Sequence, residues 1–351
     1  KKPISMDISV VIVTRNRAKY LAGALLSLAA QDFDGQRFEV IVGDNGSTDA
    51  TGDVAASHAK TFANFHHFHD PRPGQIVGWH TALAQAQGEV VAFIDDDTRP
   101  EPGWLDAIHA VFTDADVGLA TGPITPEFET EVPNWRKSMI LDYQGGVWSA
   151  HWGLLDFGTN RIEIPAAFVW GRNFIARRSA MLAAGGFHPG GMPSHLFHFT
   201  GDGDMGAGKA IEGLGHKVIY DPGLAVTNIF QAHQNETDEI QRWIYGEGLV
   251  TSYVLMRRLA AGHSHAPSGS LADLVPEAIA AYNVDLDRIG HGYLTSLDDL
   301  PGDLRTVMET AGRQGFEAHQ QHFRTDAAFR EWVLRPDYLD IDRCYVHPDL
   351  L

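Results

Sequence analysis

Only one cysteine, Cys344, occurs in 351 residues. A single thiol cannot build a disulfide framework or a multi-cysteine zinc site, and it suits a reducing compartment. Basic residues are scarce as well: 27 Lys and Arg stand against 45 Asp and Glu, a formal net charge of −18. Holding a nucleic-acid backbone takes clustered Lys and Arg, so nucleic acid is not expected as a partner. The same deficit disfavours broad docking on anionic lipid, although a local basic patch would still permit contact with a membrane surface. No run approaches the ~18 apolar residues of a membrane-spanning helix, and the opening KKPISMDISV has no apolar targeting core. The expectation is a cytoplasmic protein without a transmembrane segment, with peripheral membrane attachment left open. A glycine-rich phosphate loop is also missing. The turn after the first apolar run reads Thr14-Arg15-Asn16-Arg17, which counts against a dinucleotide oxidoreductase and a sugar nucleotidyltransferase. There is no internal repeat.

What is present in the first half is an alternation of strands and helices. Ile8–Val13 is a β-branched run, after which Leu21, Ala24, Leu25 and Leu28 recur at helical spacing. A second strand over 39–43 stops at the turn formers Asp44-Asn45-Gly46-Ser47-Thr48-Asp49, good caps for a helix near 50–60. Phe65–His69 reads as a third strand, 78–87 as a helix and Val90–Ile94 as a fourth strand. This rhythm predicts an α/β fold, Rossmann-related, with a mostly parallel sheet and ligands at the carboxyl ends of its strands. From about 123 to 165 the pattern loosens among glycines, prolines and Trp135, Trp148 and Trp152. Beyond 235 it becomes mainly helical, over 236–261, 271–282, 304–323 and 327–334. The expected division is an α/β domain over 1–235 and a helical C-terminal extension over 236–351, with GHSHAPSGS (262–270) as a flexible link.

The fourth strand delivers Asp95, Asp96 and Asp97 to its carboxyl end. Adjacent carboxylates repel one another, and hard oxygen ligands at a strand terminus suit Mg²⁺ or Mn²⁺ carrying substrate phosphates. A solvated acidic turn is the plain alternative. In a parallel sheet, Thr14–Arg17, Asp44–Asp49 and Asp95–Asp97 would meet at one edge.

Five segments carry a resemblance. VIVTRNRAKYLAGALLSLAAQ (11–31), VIVGDNGSTDAT (40–51), VVAFIDDDTRPEPGWL (90–105), NFIARRSAMLAAGGF (173–187) and GDGDMGAGKAIEGLGHKVIYDP (201–222) together resemble the family 2 nucleotide-sugar glycosyltransferases of the GT-A fold, in that family's order. The resemblance spans residues 7 to about 230. It implies inverting transfer of a sugar from a nucleoside diphosphate sugar, UDP-linked by default, to an acceptor hydroxyl of a glycan, a lipid-linked glycan or a small molecule. It assigns Asp44 to the nucleotide base, with Thr14, Arg15, Asn16 and Asn45 lining the pocket, Asp95 to the ribose and Asp97 to the metal. Asp96 belongs to the same donor-binding run, though it is expected to face outward. The base that deprotonates the acceptor corresponds to Asp202, with Asp204 as runner-up, and either could serve only as a helix cap. The acidic residue usual before this base is Gly201 here.

Two further departures stand out. Relatives carry a metal-binding histidine where this chain has Asn228; His233, five residues on, could substitute or be an ordinary surface histidine. Arg172 replaces a small residue, and could reach a phosphate or an acidic acceptor, or pair structurally. His66, His67 and His69, the pair His319 and His322, and the aromatic Trp148 and Trp152 read as structural first, with metal binding or sugar stacking as the sharper alternatives. A catalytically degenerate nucleotide-sugar-binding scaffold is the non-enzymatic reading.

Overall fold

The computed structural model describes residues 6–265, 268–296, 298 and 300–351. Part of the link expected at 262–270, and the first five residues of the opening stretch, lie outside the described residues.

The apolar runs form strands for the reason their composition suggests. Every residue of β1 (Ile8–Thr14) and β2 (Phe38–Asp44) is buried. Strands covered on both faces carry continuous rather than alternating hydrophobicity. The edge strand β3 (Phe65–His69) is half-exposed along its length. β4 (Val90–Asp95) is buried up to the aspartate at its end. β5 (Thr98–Pro100), β6 (Val117–Thr121) and β7 (Ile124–Phe128) follow, then the short β8 (Leu141–Tyr143), β9 (Gly146–Ser149), β10 (Leu154–Asp156) and β11 (Ile162–Glu163). β12 (Phe174–Arg177), β13 (Lys217–Tyr220) and β14 (Val226–Phe230) complete the series.

Eight strands form the main sheet in the order β11-β13-β6-β12-β4-β1-β2-β3. It is mostly parallel, with β12 running antiparallel between β4 and β6 and the edge strand β11 antiparallel to β13. Register decides where chemistry can occur: Thr14 lies opposite Asp44, and Val13 opposite Asp95. Three carboxyl ends are therefore level. The helices α1 (Ala18–Ala29), α2 (Thr51–His58), α3 (Gln75–Gln85), α4 (Trp104–Val111), α5 (Arg178–Ala183) and α6 (Gly203–Gly213) accompany this body. α1 buries Leu21, Ala24, Leu25 and Leu28, the predicted stripe.

A second sheet of six strands, β5-β14-β7-β10-β9-β8, was not anticipated. The segment read as loosely patterned supplies four of its strands, each three to five residues long. Runs that short hold too few side chains for alternation to show. Because β5 follows directly on Asp97 and pairs antiparallel with β14, Asn228 faces Thr98 across the ladder. The main-chain N–H of Ile229 also donates to the Asp97 carbonyl at 2.9 Å.

The C-terminal part contains α7 (Thr237–Gly262), α8 (Val275–Ala281), α9 (Gly302–Thr325), α10 (Ala327–Val333) and α11 (Ile341–Cys344). The helix expected over 271–282 starts later than predicted. Residues 268–274 are a 3₁₀ segment, and Pro276 occupies the first turn of α8, where its missing N–H is harmless. α7 and α9 approach so closely that a Cβ at Gly248 would overlap the Gly312 carbonyl oxygen, and one at Gly315 the Tyr245 carbonyl oxygen. Their apolar core gathers Tyr253, Met256, Phe316, Phe323 and Trp332, and also takes in Ile76 and Val77 of α3 and Leu196 and Phe199. The helices thus close over the α/β body beside the level strand ends.

Candidate active site

A cavity of about 560 Å³ opens at the carboxyl ends of β1 and β4. Asp95, Asp96 and Asp97 form its floor, with Thr14, Arg15, Arg17 and Asn45 on one side and Arg172, Asn228, Gln231, His233 and Arg242 on the other. β4 ends at Asp95, so the next two carboxylates turn over the edge of the sheet.

Asp96 does not face outward. It is 4% exposed, accepts from the Thr14 hydroxyl at 2.6 Å and from Arg17 Nε at 2.6 Å. Its position next to β1 lets the strand-end hydroxyl and the turn arginine reach it, a contact that spacing along one chain segment cannot reveal. Burial pushes its pKa up to about 7; Arg17 opposes that rise and the charge of Asp97 adds to it. Burial also raises Asp95, with repulsion from Asp97 second. The Arg17 guanidinium bridges Asp96 and Asp97, and Gln231 Nε2 donates to Asp97 Oδ2 at 2.9 Å. Gln75 Nε2 reaches Asp95 Oδ1 at 3.4 Å.

The residues suit a divalent cation shared with phosphate oxygens. Hard carboxylates are crowded and two are raised by burial, so the floor has an excess of negative charge for a cation to relieve. No group of three or more His, Cys, Asp or Glu among the described residues is arranged to hold a metal ion. Mg²⁺-type sites commonly use one or two carboxylates together with substrate phosphates and water. Asn228 is buried, and its Oδ1 accepts from the Thr98 hydroxyl at 3.0 Å. His233 borders the cavity.

The remaining expected residues separate into two groups. Thr14, Arg15, Asn45 and Arg172 border the cavity. Asp44 and Asn16 instead hold its rim. Asp44 accepts from the Ser47 N–H at 2.8 Å and lies 3.2 Å from His69 Nδ1. Asn16, in the left-handed region at φ 54°, accepts from the Thr48 and Asp49 N–H groups and so ties the β1 turn to the approach of α2.

The two candidates for the base are not among the residues lining either this cavity or its neighbour, and their surroundings differ. Asp204 has both oxygens engaged by backbone, accepting from Gly171 N at 2.5 Å and Met205 N at 2.8 Å. That anchors the turn carrying Arg172 to α6. Burial raises its pKa, against those two N–H bonds. Asp202 is hydrogen-bonded through Oδ1 to His188 Nδ1. Burial works to raise it, but the His188 hydrogen bond and charge prevail and hold it below the ordinary carboxylate value. Asp202 thus remains ionised at neutral pH.

Arg17, Gln75, Gln231, Gln234 and Arg242 border the cavity without having been assigned a role from sequence. Arg17 stood inside the quoted turn; the others carry no short-range signal. Trp148 packs on Phe168 and Trp170, and Trp152 on Phe128, as structural residues. His319 is buried against the Ser252 hydroxyl, while His322 stacks on His198 at 4.0 Å between ring centroids.

Comparison with known proteins gives a consistent family. Residues 9–182 match the model described as Glycosyl transferase family 2. The pre-mycofactocin glycosyltransferase of Mycobacterium tuberculosis is 28% identical over 248 residues, covering 69% of this chain and 45% of that protein. The chain therefore spans less than half the length of this curated relative. Among solved structures, the mannosyltransferase PcManGT from Pyrobaculum calidifontis, in complex with GDP-Man and Mn²⁺, aligns over 93% of this chain and 90% of its own, with a TM-score of 0.51 and 17% identity. Staphylococcus aureus TarS 1-349, in complex with UDP-GlcNAc, aligns over 90% and 92%, with a TM-score of 0.52 and 17% identity. At such identities the likeness is one of fold, and that fold is GT-A.

Proposed function

Because the chain belongs to glycosyl transferase family 2, we propose that it transfers a sugar from a nucleoside diphosphate sugar to an acceptor hydroxyl with inversion at the anomeric carbon. The observation that carries this reading is the level meeting of Thr14, Asp95, Asp96 and Asp97 on the floor of a cavity bordered by Arg15, Arg172 and Arg242. Relatives of the fold bind GDP-Man or UDP-GlcNAc, which supports the donor class.

In this reading the nucleotide lies against Thr14, Arg15 and Asn45, and the diphosphate lies over the aspartates. Asp97, with His233 as a further candidate, would hold the cation, Mn²⁺ or Mg²⁺, while Asp95 faces the ribose. When bound, that ion offsets the charge that builds on the departing diphosphate. Arg17 pre-positions Asp97 by gripping its Oδ2. Arg172 adds positive charge beside Asp95, stabilising negative charge as the glycosidic bond breaks.

Asp202 is the proposed base. It stays ionised, His188 orients it through one oxygen, and no other side chain among the described residues hydrogen-bonds it. It removes the acceptor proton as the oxygen attacks the face opposite the diphosphate. Asp204, with both oxygens engaged, keeps the Arg172 turn in place. The helical C-terminal part acts as a cover rather than an independent unit, sharing its core with α3 and the 192–199 segment.

A thermal-shift panel of UDP, GDP and dTDP with and without Mn²⁺ tests the reading, since a ligand that binds only the native state raises its melting temperature. The expected result is a cation-dependent rise for one nucleotide, accompanied by slow hydrolysis of its sugar derivative. No rise with any nucleotide would overturn the donor assignment, and binding without hydrolysis or transfer would identify a scaffold.

A further inference from the structure

A second cavity, about 330 Å³, adjoins the first and shares Arg172, Gln234 and Arg242 with it. Trp243 and Phe197 give it an apolar face, and His151 and Glu239 complete the polar wall. The hydrogen-bond inventory of this wall is lopsided. The Ala150 carbonyl accepts from Arg172 Nη1 at 3.2 Å. The Gln234 carbonyl accepts from Arg136, and Gln234 Oε1 accepts from the Gln231 N–H at 2.7 Å. Glu239 is ion-paired with Arg242 at 2.5 Å.

His151 has its tautomer set from behind. Arg136 Nη1 lies 3.0 Å from its Nδ1, and a guanidinium can only donate, so the imidazole proton sits on Nε2. Arg136 itself is fully buried, has no carboxylate partner among the described residues and leaves its Nε without a hydrogen bond. A positive charge therefore stands directly behind the wall. What remains for a ligand is the free edges of Arg172 and Arg242, the His151 Nε2–H and the Gln234 amide, set against one acceptor, the Glu239 Oε1 that the Arg242 pair leaves unbonded. A neutral sugar both donates and accepts, so it matches such a wall poorly, whereas the oxygens of an anion only accept.

Resting on the transfer reading above, we propose that this cavity receives the acceptor, and that the acceptor carries a carboxylate or a phosphoester near the hydroxyl to be glycosylated. Arg172 and Arg242 grip the anionic group, and Trp243 supports an apolar face beside it. The hydroxyl then points toward the junction at Arg172, where the two cavities meet.

Titration calorimetry tests the proposal on protein saturated with Mg²⁺ and the nucleoside diphosphate selected by the thermal-shift panel. Three probes are compared: inorganic phosphate, methyl β-D-glucuronide and methyl β-D-glucoside. The expected result is saturable binding of phosphate or glucuronide at least about tenfold tighter than the glucoside. The anion that binds more tightly distinguishes a phosphoester from a carboxylate acceptor. Arg242→Gln, at an exposed position, should weaken that binding about tenfold. Equal binding of the glucoside, or no anion binding to the nucleotide-loaded protein, overturns the proposal. Failure of every nucleotide to bind would instead refute the transfer reading and take this inference with it.

Discussion

The floor of the cleft draws Thr14, Asp95, Asp96 and Asp97 from two neighbouring parallel strands and the turn after one of them, whereas the facing wall draws Arg172, Gln231, His233 and Arg242 from a 3₁₀ turn, the loop after β14 and the start of α7. On the floor the side chains are short and held in place: Asp96 accepts from Thr14 and Arg17 at 2.6 Å each, and Asp97 from Gln231 of the wall at 2.9 Å. On the wall they are long, and Arg172 is held by one weak bond to a carbonyl. The difference separates two tasks. The floor can present fixed charge to a diphosphate and cation, which needs little reorganisation. The wall can vary its reach and chemistry without disturbing a strand, which suits selection of an acceptor.

Substitutions test this division, and the largest effect is expected at the base. Asp202→Asn should lower turnover about 10²–10⁴-fold, with donor affinity unchanged in a calorimetric titration. Asp204→Asn should lower it far less, by loosening the Arg172 turn. The reverse ranking would move the base to Asp204. At the floor, Asp97→Asn should cost about 10²–10³-fold in turnover and abolish the manganese dependence of nucleotide binding. Its melting temperature should stay close to that of the parent, because the carboxylate contributes little packing.

The helical cover is tested by Gly248→Val. The α7–α9 contact has no room for a side chain there, so overpacking should destabilise the protein by about 1–3 kcal/mol. Denaturant titration reads this directly, and turnover of the still-folded fraction should remain. A change in turnover with no loss of stability would mean that α7 acts on the chemistry more directly than as a cover.

The smallest expected effect is a pH dependence centred where the 194–199 segment packs against α9. Burial, with the neighbouring His322 next, lowers His198 from 6.5 to about 4, and burial lowers His319 to about 3. Asp326, Asp349 and His347 also face His198. Because the folded pKa lies below the unfolded one, the unfolded chain binds more protons between these values, and stability falls as pH falls. The contribution is fully present above pH 6.5 and is lost toward pH 4. His198→Leu should flatten the fall in melting temperature over that range; an unchanged slope would remove His198 from the account.

Legibility differed along the same division. β1, β2 and β4 were readable because continuous apolar runs mark strands buried on both faces, and α1 because its stripe recurs at helical spacing. The second sheet was not, since β8 to β10 are each only three or four residues long. Asp96 was misread as outward-facing because nothing in FIDDDTRP reports that Thr14 and Arg17 would reach it. Gln231 meets Asp97 from 134 positions away, a distance over which a single sequence offers no periodicity to follow. The His188–Asp202 pair is illegible for a related reason: the motif segment NFIARRSAMLAAGGF ends at Phe187, one residue short of the histidine.

By itself, the chain's order of residues determined that carboxylates would sit at a strand end beside two other turns, because local hydrophobic pattern dictates where a buried strand must stop. It also determined the charge balance that disfavours a nucleic-acid partner, since composition needs no fold to be read. The tertiary structure alone decided which way each carboxylate turns, which of Asp202 and Asp204 keeps an oxygen free of backbone bonds, and that a wall rich in N–H groups closes the cleft. Those outcomes depend on hydrogen-bond partners and burial supplied by segments distant in the chain, and such partners exist only once the sheets and helices have packed.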